Sequence, residues 1–270
     1  MMDNKFPFFD KLPCGVCDFS SIGENLINCR AKGRIPQNAK SVIVYLFPYY
    51  LGKDFYENSN ISKYAVPEDY HIIAGDYLKK ATEELREKYP ENKFEYFCDN
   101  SPIPEVSAAV GAGLGVKGKN GLLINEKYGS FCFIGEIVTD KEFDFSLSYQ
   151  KNCLNCGMCV RACPGGAISD GKVDRIKCFS DITQRKNSLP EDLREYIEKS
   201  GCVWGCDICQ DVCPMNKNLP LTPIEEFRKN AKSAYAFGDS LENRAFAWRG
   251  KEVIDRNLKI MCCKDCENEL

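Results

Sequence analysis

Cys153-Leu-Asn-Cys156-Gly-Met-Cys159-Val-Arg-Ala-Cys163-Pro164 is the stretch on which the reading of this chain turns. Three cysteines with two residues between each can reach three corners of one cubane from a single tight loop. A fourth, three residues further on and followed by proline, turns away toward a second cluster. Downstream, Cys206-Asp-Ile-Cys209-Gln-Asp-Val-Cys213-Pro214 repeats the two inner spacings, with Val203 where a further cysteine would stand. A reciprocal pattern follows. Cys153, Cys156 and Cys159 take Cys213 as their fourth ligand. Cys206 and Cys209 take Cys163, and their fourth ligand is Cys178 or Cys202. Zinc closes a site with four ligands, commonly from paired C-x₂₋₄-C units. It explains neither the third cysteine, nor the C-x₃-C-P ending, nor the repetition of both. Two [4Fe–4S] clusters are therefore expected, and with them electron transfer. Gly157, Gly165 and Gly166 let the backbone approach the cluster sulfurs, where amide hydrogen bonds tune the potential.

Outward from the cysteines, the chain has the composition of a globular protein, with 44% hydrophobic and 28% charged residues among 270. A net charge of -3 argues against a strongly basic nucleic-acid binder, though a local patch is compatible with it. No apolar run approaches the ~20 residues of a membrane span. Met1 to Leu12 lacks the apolar core of a signal peptide. With 17 cysteines clustered rather than dispersed, a reducing, cytoplasmic setting and metal ligation are expected in place of disulfides. Upstream, Ser41 to Phe47 reads as a buried strand and Phe94 to Cys98 as another. Residues 68–88 read as a helix with Ile72, Ile73, Tyr77, Leu78, Ala81 and Leu85 on one side. Gly121 to Asn125 and Ser130 to Thr139 read as a strand pair turning near Tyr128-Gly129. Composition shifts near Lys151 toward Cys, Gly and Pro, and helical patterning returns from Pro223. The expected organisation is an α+β chain: an α/β domain over 1–148, a double-cluster domain over 149–220 and a helical segment over 221–270.

Several blocks now carry a resemblance. Pro36-Gln-Asn-Ala-Lys-Ser-Val-Ile-Val, Lys63-Tyr64-Ala65, Asp69-Tyr70-His71 and Asp99-Asn-Ser-Pro-Ile-Pro-Glu105 precede the cysteine runs. So do Ala112-Gly-Leu-Gly-Val-Lys-Gly-Lys119, Gly129-Ser130 and Gly135-Glu136. Lys177-Cys178-Phe-Ser and Gly205-Cys206-Asp207-Ile-Cys209-Gln210 belong to the runs themselves. In this order they resemble the epoxyqueuosine reductase family, cobalamin-dependent two-cluster enzymes acting on a modified base of tRNA. The resemblance implies a nitroreductase-like, cobalamin-processing-like first domain and a ferredoxin-like second one, with a corrinoid held between them. It selects Cys178 over Cys202 as the eighth ligand, matches Asp99 to the family's proton donor, and puts Tyr64, Gly113, Gly115, Gly118, Lys119, Asn120, Ser130 and Asp207 beside the corrinoid. Two departures stand out. Asp181-Ile-Thr-Gln-Arg replaces a usual Tyr-Leu-Thr-Ile-Glu-His, and the chain stops at Leu270, before the helical-repeat domain of longer members.

Weighed on residues alone, the other features are plainer. Gly113-Leu-Gly115-Val-Lys-Gly118 fits G-x-G-x-x-G, but a helix precedes it and a strand follows, the reverse of a dinucleotide fold. It serves as a cofactor cradle or as a turn. Asp99 reads as an Asx-turn with a lowered pKa, or as an acid raised by desolvation so that it can donate a proton. His71, the one histidine, reads as a packed or surface residue and a poor candidate for catalysis or cobalt ligation. Lys151, Arg161, Lys172, Arg175, Lys177, Arg185 and Lys186 outnumber Asp170, Asp174 and Asp181, forming a phosphate-facing patch, a solvated face or a dock for an acidic donor. Cys14, Cys17 and Cys29 with Cys262, Cys263 and Cys266 form a further metal site, or are unligated thiols. The functional expectation is a reductase of the epoxyqueuosine type, monomeric, taking electrons from a ferredoxin or flavodoxin and acting on tRNA. The alternatives are an electron carrier without corrinoid and an accessory protein that reduces cobalamin.

Overall fold

The computed structural model describes residues 6–145, 152–169, 171–186 and 189–262. Its first half is organised by strand β2 (Ser41–Pro48), whose side chains are buried on both faces. Ile43, Tyr45 and Phe47 enter one core, and Val42, Val44 and Leu46 enter another. A strand covered on both sides reads as a continuous apolar run, and β-branched residues suit its pleated backbone. With β1 (Cys14–Asp18), β3 (Phe94–Cys98) and β4 (Cys132–Thr139) it forms an antiparallel sheet in the order β1-β2-β4-β3. Helix α1 (Tyr70–Lys88) covers one face through Ile73, Ala74, Leu78, Ala81 and Leu85. Helix α2 (Glu105–Gly111) covers the other through Ala108 and Ala109. Asp69 caps α1 by accepting from the His71 N–H at 2.9 Å.

Two expectations change. Ile72 is 47% exposed, because it shares a flank of α1 with Lys79 and Glu83, to one side of the apolar stripe. The expected hairpin of 121–125 with 130–139 is absent. Leu123–Ile124 pairs instead with Val116–Lys117, and one bridge, Asn125 to Gly129, links the two stretches. Strand β4 inserts between β2 and β3, where Ile137 and Val138 are buried on opposite faces and its backbone is hydrogen-bonded along both edges.

Downstream the regular pieces are short: α3 (Met158–Ala162), α4 (Glu191–Ser200), α5 (Ile208–Asp211) and α6 (Lys251–Cys262). Helices α4 and α6 pack together around Leu193, Ile197, Val253, Ile254 and Leu258, with Trp204 and Phe246 beside them. Leu51, Ile61, Ala65 and Val66 of the first half enter the same core. Hydrogen bonds from Ser62 N to Trp204 O (2.8 Å) and from Val203 N to Asn60 O (2.7 Å) fasten the seam. In return, Phe227 of the tail fills the first core. The expected division at residue 148 falls outside the described residues. Among those described, no helix is long and apolar enough to cross a membrane.

Candidate functional site

The eight predicted cysteines sort into two sets of four. Cys153, Cys156, Cys159 and Cys213 line one small cavity with Lys119, Leu154 and Met215. Cys163, Cys178, Cys206 and Cys209 line another, of about 440 Å³. Each set draws three thiols from its own neighbourhood and a fourth from across the pair, through the two C-x₃-C-P endings. Helices α3 and α5, each beginning within such a run, pack against one another. Among the described residues no three metal-binding side chains converge on a single-ion centre. The thiols ring a volume instead, which a cubane with one thiolate per iron requires.

The thiols also separate ligand from bystander. Burial pushes Cys209 up to about 12, so its thiolate needs a positive centre beside it. Cys202 is raised to about 12 as well, by burial first, but its Sγ donates at 3.5 Å to the carbonyls of both Trp204 and Gly205. A thiol engaged as a donor keeps its proton. Cys178 lines the cavity with Cys163, Cys206 and Cys209, and Cys202 does not. The Ala167 N–H donates to Cys163 Sγ at 3.3 Å, and the Tyr196 hydroxyl to Cys206 Sγ at 3.6 Å. Donors of this kind favour the reduced, more negative state of a cluster.

The larger cavity is more than a cluster seat. Its far wall is aromatic: Tyr49 lies 4.4 Å from Phe133, and Phe133 stacks on Tyr70 at 4.0 Å and 9°. Tyr64, Asn120, Ser130 and Asp207, all expected at a corrinoid, line this cavity, together with Cys132 and Gln210, which the sequence did not single out. Trp204 Nε1 donates to the Tyr64 hydroxyl at 2.8 Å. Asp207 Oδ2 accepts from the Lys63 N–H at 2.6 Å. Burial outweighs the Lys63 charge and pushes Asp207 up to about 6. Ser130 Oγ donates to Gln210 Oε1 and accepts from Asn216 Nδ2, both at 2.9 Å, tying the sheet to the second cysteine run. Gln210 could have been found from its position between Cys209 and Cys213. Flat aromatic walls, a few convergent polar groups and the absence of imidazole from the lining fit a planar corrinoid bound without a protein base.

Three of the expected contacts belong elsewhere. Gly113, Gly115 and Gly118 line neither thiol cavity. A Cβ at Gly115 would strike the Ile124 carbonyl, and one at Gly118 would lie 2.5 Å from Asn120 Oδ1. Gly115 and Gly118 are needed for the close packing of Val116–Lys117 against Leu123–Ile124. Lys119 sits with the first thiol set.

Asp99 takes the first of its two alternatives, a lowered carboxyl, and His71 is its partner. Asp99 lines a neighbouring cavity with His71, Arg34 and Asp76 instead of the aromatic one. Both Asp99 and Asn100 hold left-handed backbone, φ 53° and 41°. Asp99 Oδ2 meets His71 Nε2 at 3.0 Å and accepts from the Tyr70 hydroxyl at 2.8 Å. The opposite ring nitrogen, His71 Nδ1, meets Asp69 Oδ1 at 2.6 Å. The His71 hydrogen bond holds the Asp99 carboxyl far below its ordinary range, against burial and with help from the Asn100 N–H and Tyr70. It is not raised by desolvation. Burial alone would lower His71, but its bonds to Asp69 and Asp99 prevail and raise it to about 9. Behind them lie Glu105, pushed up to about 7 by burial and then by Asp99, and the wholly buried Glu136, pushed well above the usual range by burial. The lone histidine is thus a partner of the predicted acid. The signal for it was the acid two residues before it at a helix start, Asp69-Tyr70-His71.

The basic cluster is partly spent internally. Asp181, where the sequence departs from the family pattern, pairs with Arg175 and Arg185, both at 2.6 Å. Lys177 lies 4.0 Å from Asp174. Arg161, Lys172 and Lys186 are exposed, and Lys151 and Asp170 lie outside the described residues. Cys14 and Cys17 lie in the cores on opposite faces of the sheet, so they do not form a common site. Cys29 donates to Asn100 O, Cys262 is exposed, and Cys263 and Cys266 lie outside the described residues.

A family model described as Epoxyqueuosine reductase QueG, DUF1730 matches residues 32–100, and one described as a 4Fe-4S double cluster binding domain matches 152–216. An epoxyqueuosine reductase of Cyclobacterium marinum is 41% identical over 232 residues, 84% of this chain and 72% of the relative. The chain spans 62% and 65% of two further epoxyqueuosine reductases, 34% and 37% identical. A solved epoxyqueuosine reductase with a tRNA-Tyr epoxyqueuosine-modified stem loop is 22% identical with TM-score 0.78, covering 93% of this chain and 77% of that one. The Bacillus subtilis enzyme, described with its catalytic aspartate loop swung out of the active site, is 22% identical with TM-score 0.78, covering 94% and 78%. The structural likeness bears on the fold.

Proposed function

Because the chain belongs to the epoxyqueuosine reductase family, we propose that it is a two-cluster, corrinoid-dependent reductase that removes the epoxide oxygen from the modified base of a tRNA in queuosine maturation. The observation that carries this is the shared cavity: Cys163, Cys178, Cys206 and Cys209 line the same space as Tyr64, Tyr70, Phe133, Asn120 and Asp207. Electrons arriving at the second cluster are delivered into a walled volume rather than to open solvent.

In this mechanism Cys153, Cys156, Cys159 and Cys213 would hold the cluster that accepts electrons from a ferredoxin or flavodoxin, and their cavity carries Lys119 and Leu154, the latter 62% exposed. Cys163, Cys178, Cys206 and Cys209 would hold the second cluster, which would supply electrons at the wall of the aromatic cavity. Tyr64, Asn120, Ser130 and Asp207 would hold the corrinoid, which would supply a strongly reducing cobalt centre. The aromatic wall and Cys132 exclude water. Loss of the oxygen leaves a carbon–carbon double bond and consumes two electrons and two protons, releasing water. Asp99, one hydrogen bond from the cavity, delivers protons to the departing oxygen by way of the Tyr70 hydroxyl. Because the resting carboxyl is ionised, its proton comes from a neighbour.

Anaerobically reconstituted protein, mixed with cob(II)alamin and followed by electron paramagnetic resonance alongside iron and sulfide analysis, tests the reading. The expected result is a base-off cobalt signal with iron and sulfide near two cubanes per chain, then deoxygenation of an epoxyqueuosine tRNA stem loop. Full clusters with an unchanged free-cobalamin signal would reduce the protein to an electron carrier. Asp99→Asn is expected to lower deoxygenation by about 10²–10⁴-fold, the span of a lost general acid, while cluster redox cycling is untouched.

A further inference from the structure

We propose that His71, oriented by Asp69, is the proton reservoir of the site: it hands its Nε2 proton to Asp99, which delivers it to the leaving oxygen, and it is refilled from solvent. This rests on the reading of Asp99 as the proton donor. The carboxylate, the imidazole and Asp69 form a continuous chain with contacts of 3.0 and 2.6 Å, and Tyr70, which bonds to Asp99 at 2.8 Å, is the member that lines the aromatic cavity. The ring stacks on Tyr70 with centroids 4.0 Å apart and 27° between planes, which fixes its tilt toward Asp99. The Asp69 backbone position is itself fixed as the cap of α1. His71 is 35% exposed along its side chain, so water can reprotonate it without entering the aromatic cavity.

The balance is simple. Each turnover needs two protons and two electrons. The electrons come from the reduced carrier through the clusters. The protons pass one at a time from His71 to Asp99, and His71 takes replacements from water. A carboxylate hydrogen-bonded to an imidazolium is a poor acid at rest, but becomes a donor once the imidazolium proton moves across. The groups facing His71 are Asp69 and Tyr70 from its own turn, Cys98 and Asp99 from the end of β3, and Glu105 from α2. Arg34 and Asp76 line the same cavity. The acids on this roll outnumber Arg34, so the charged imidazole is favoured.

His71 is the only histidine in the chain, so in tag-free protein its ring resonances assign themselves. An NMR titration should place it near pH 9 in the wild type and return it toward 6.5 in Asp99→Asn. A wild-type midpoint near 6.5 would overturn the proposal without any substrate being needed. In turnover, His71→Gln keeps a donor to Asp99 but carries no transferable proton. At pH 7–8 its deoxygenation rate should fall by about 10²-fold and climb again as the pH drops. The wild type should hold level and decline only above about 9. Added imidazole should restore part of the rate in His71→Ala. A wild-type rate and pH profile in His71→Gln, with Asp99→Asn inactive, would sink the relay and leave the Asp99 assignment standing. Full activity in Asp99→Asn would sink that assignment instead.

Discussion

The sheet half and the cysteine half of this molecule are built on opposite principles. Between Ser41 and Thr139 the chain buries strand β2 on both faces, and the fold follows from apolar area removed from water. Between residues 152 and 218 the helices run to four or five residues outside α4 and the strands to two. Here the thiols, half-buried except for the exposed Cys156, line two volumes. Such a segment owes its order to ligation. The contrast teaches that a fold can be dictated by side-chain period in one stretch and by ligand spacing in the next.

The largest test of that contrast is iron removal. Anaerobic chelation should cost the second half on the order of 10 kcal/mol, as structural metal sites do. Hydrogen exchange should then become fast across residues 152–218 while Ser41–Pro48 and Cys132–Thr139 stay protected. Simultaneous loss in both would mean that the core shared by Leu51, Ile61, Ala65 and Val66 with Trp204 makes one cooperative unit. Next in size is Phe47→Ala, which should cost about 3–5 kcal/mol, read as a lower urea midpoint by circular dichroism. Cluster absorbance without denaturant should stay at the wild-type level, and bleached clusters would blur the division.

The smallest effect is a pH window set by the Asp69–His71–Asp99 chain. His71 is raised from 6.5 to about 9, so its contribution is complete below pH 6.5 and is lost as pH rises through 9. Asp69 and Asp99 are lowered from 3.8, so theirs is present above that value and is lost as pH falls. Their joint contribution is greatest between about pH 4 and 6.5. With side chains 35% and 54% exposed, solvent screening keeps it near or below about 1 kcal/mol. In His71→Gln the alkaline limb of the thermal-stability profile should flatten. An unchanged limb would mean that this chain of contacts adds nothing to stability.

Legibility followed the same divide. Strand β2 and helix α1 could be read because their apolar residues recur with the period of the element they form. The double-cluster domain could be read because cubane geometry constrains spacing. Strand β4 was mispaired because a hairpin turn is a local signal, whereas insertion between β2 and β3 is decided by neighbours far along the chain. The glycine motif is ambiguous in sequence, because a Cβ excluded by the chain's own Ile124 looks the same there as one excluded by a cofactor. His71 was passed over because its importance lies in a residue 28 positions away, and no period marks such a meeting.

The proposed exchange of fourth ligands carries a consequence for how the protein is made. Cys153, Cys156 and Cys159 leave the ribosome long before Cys213, and Cys163 and Cys178 long before Cys209. Neither cubane has its full set of thiolates until the chain has been extended past the second run. The two closing ligands are then only four residues apart in the sequence, Cys209 and Cys213. Insertion of both clusters is thereby deferred to one late moment of synthesis, and a nascent chain stalled before it would present six open thiols to any scavenging metal.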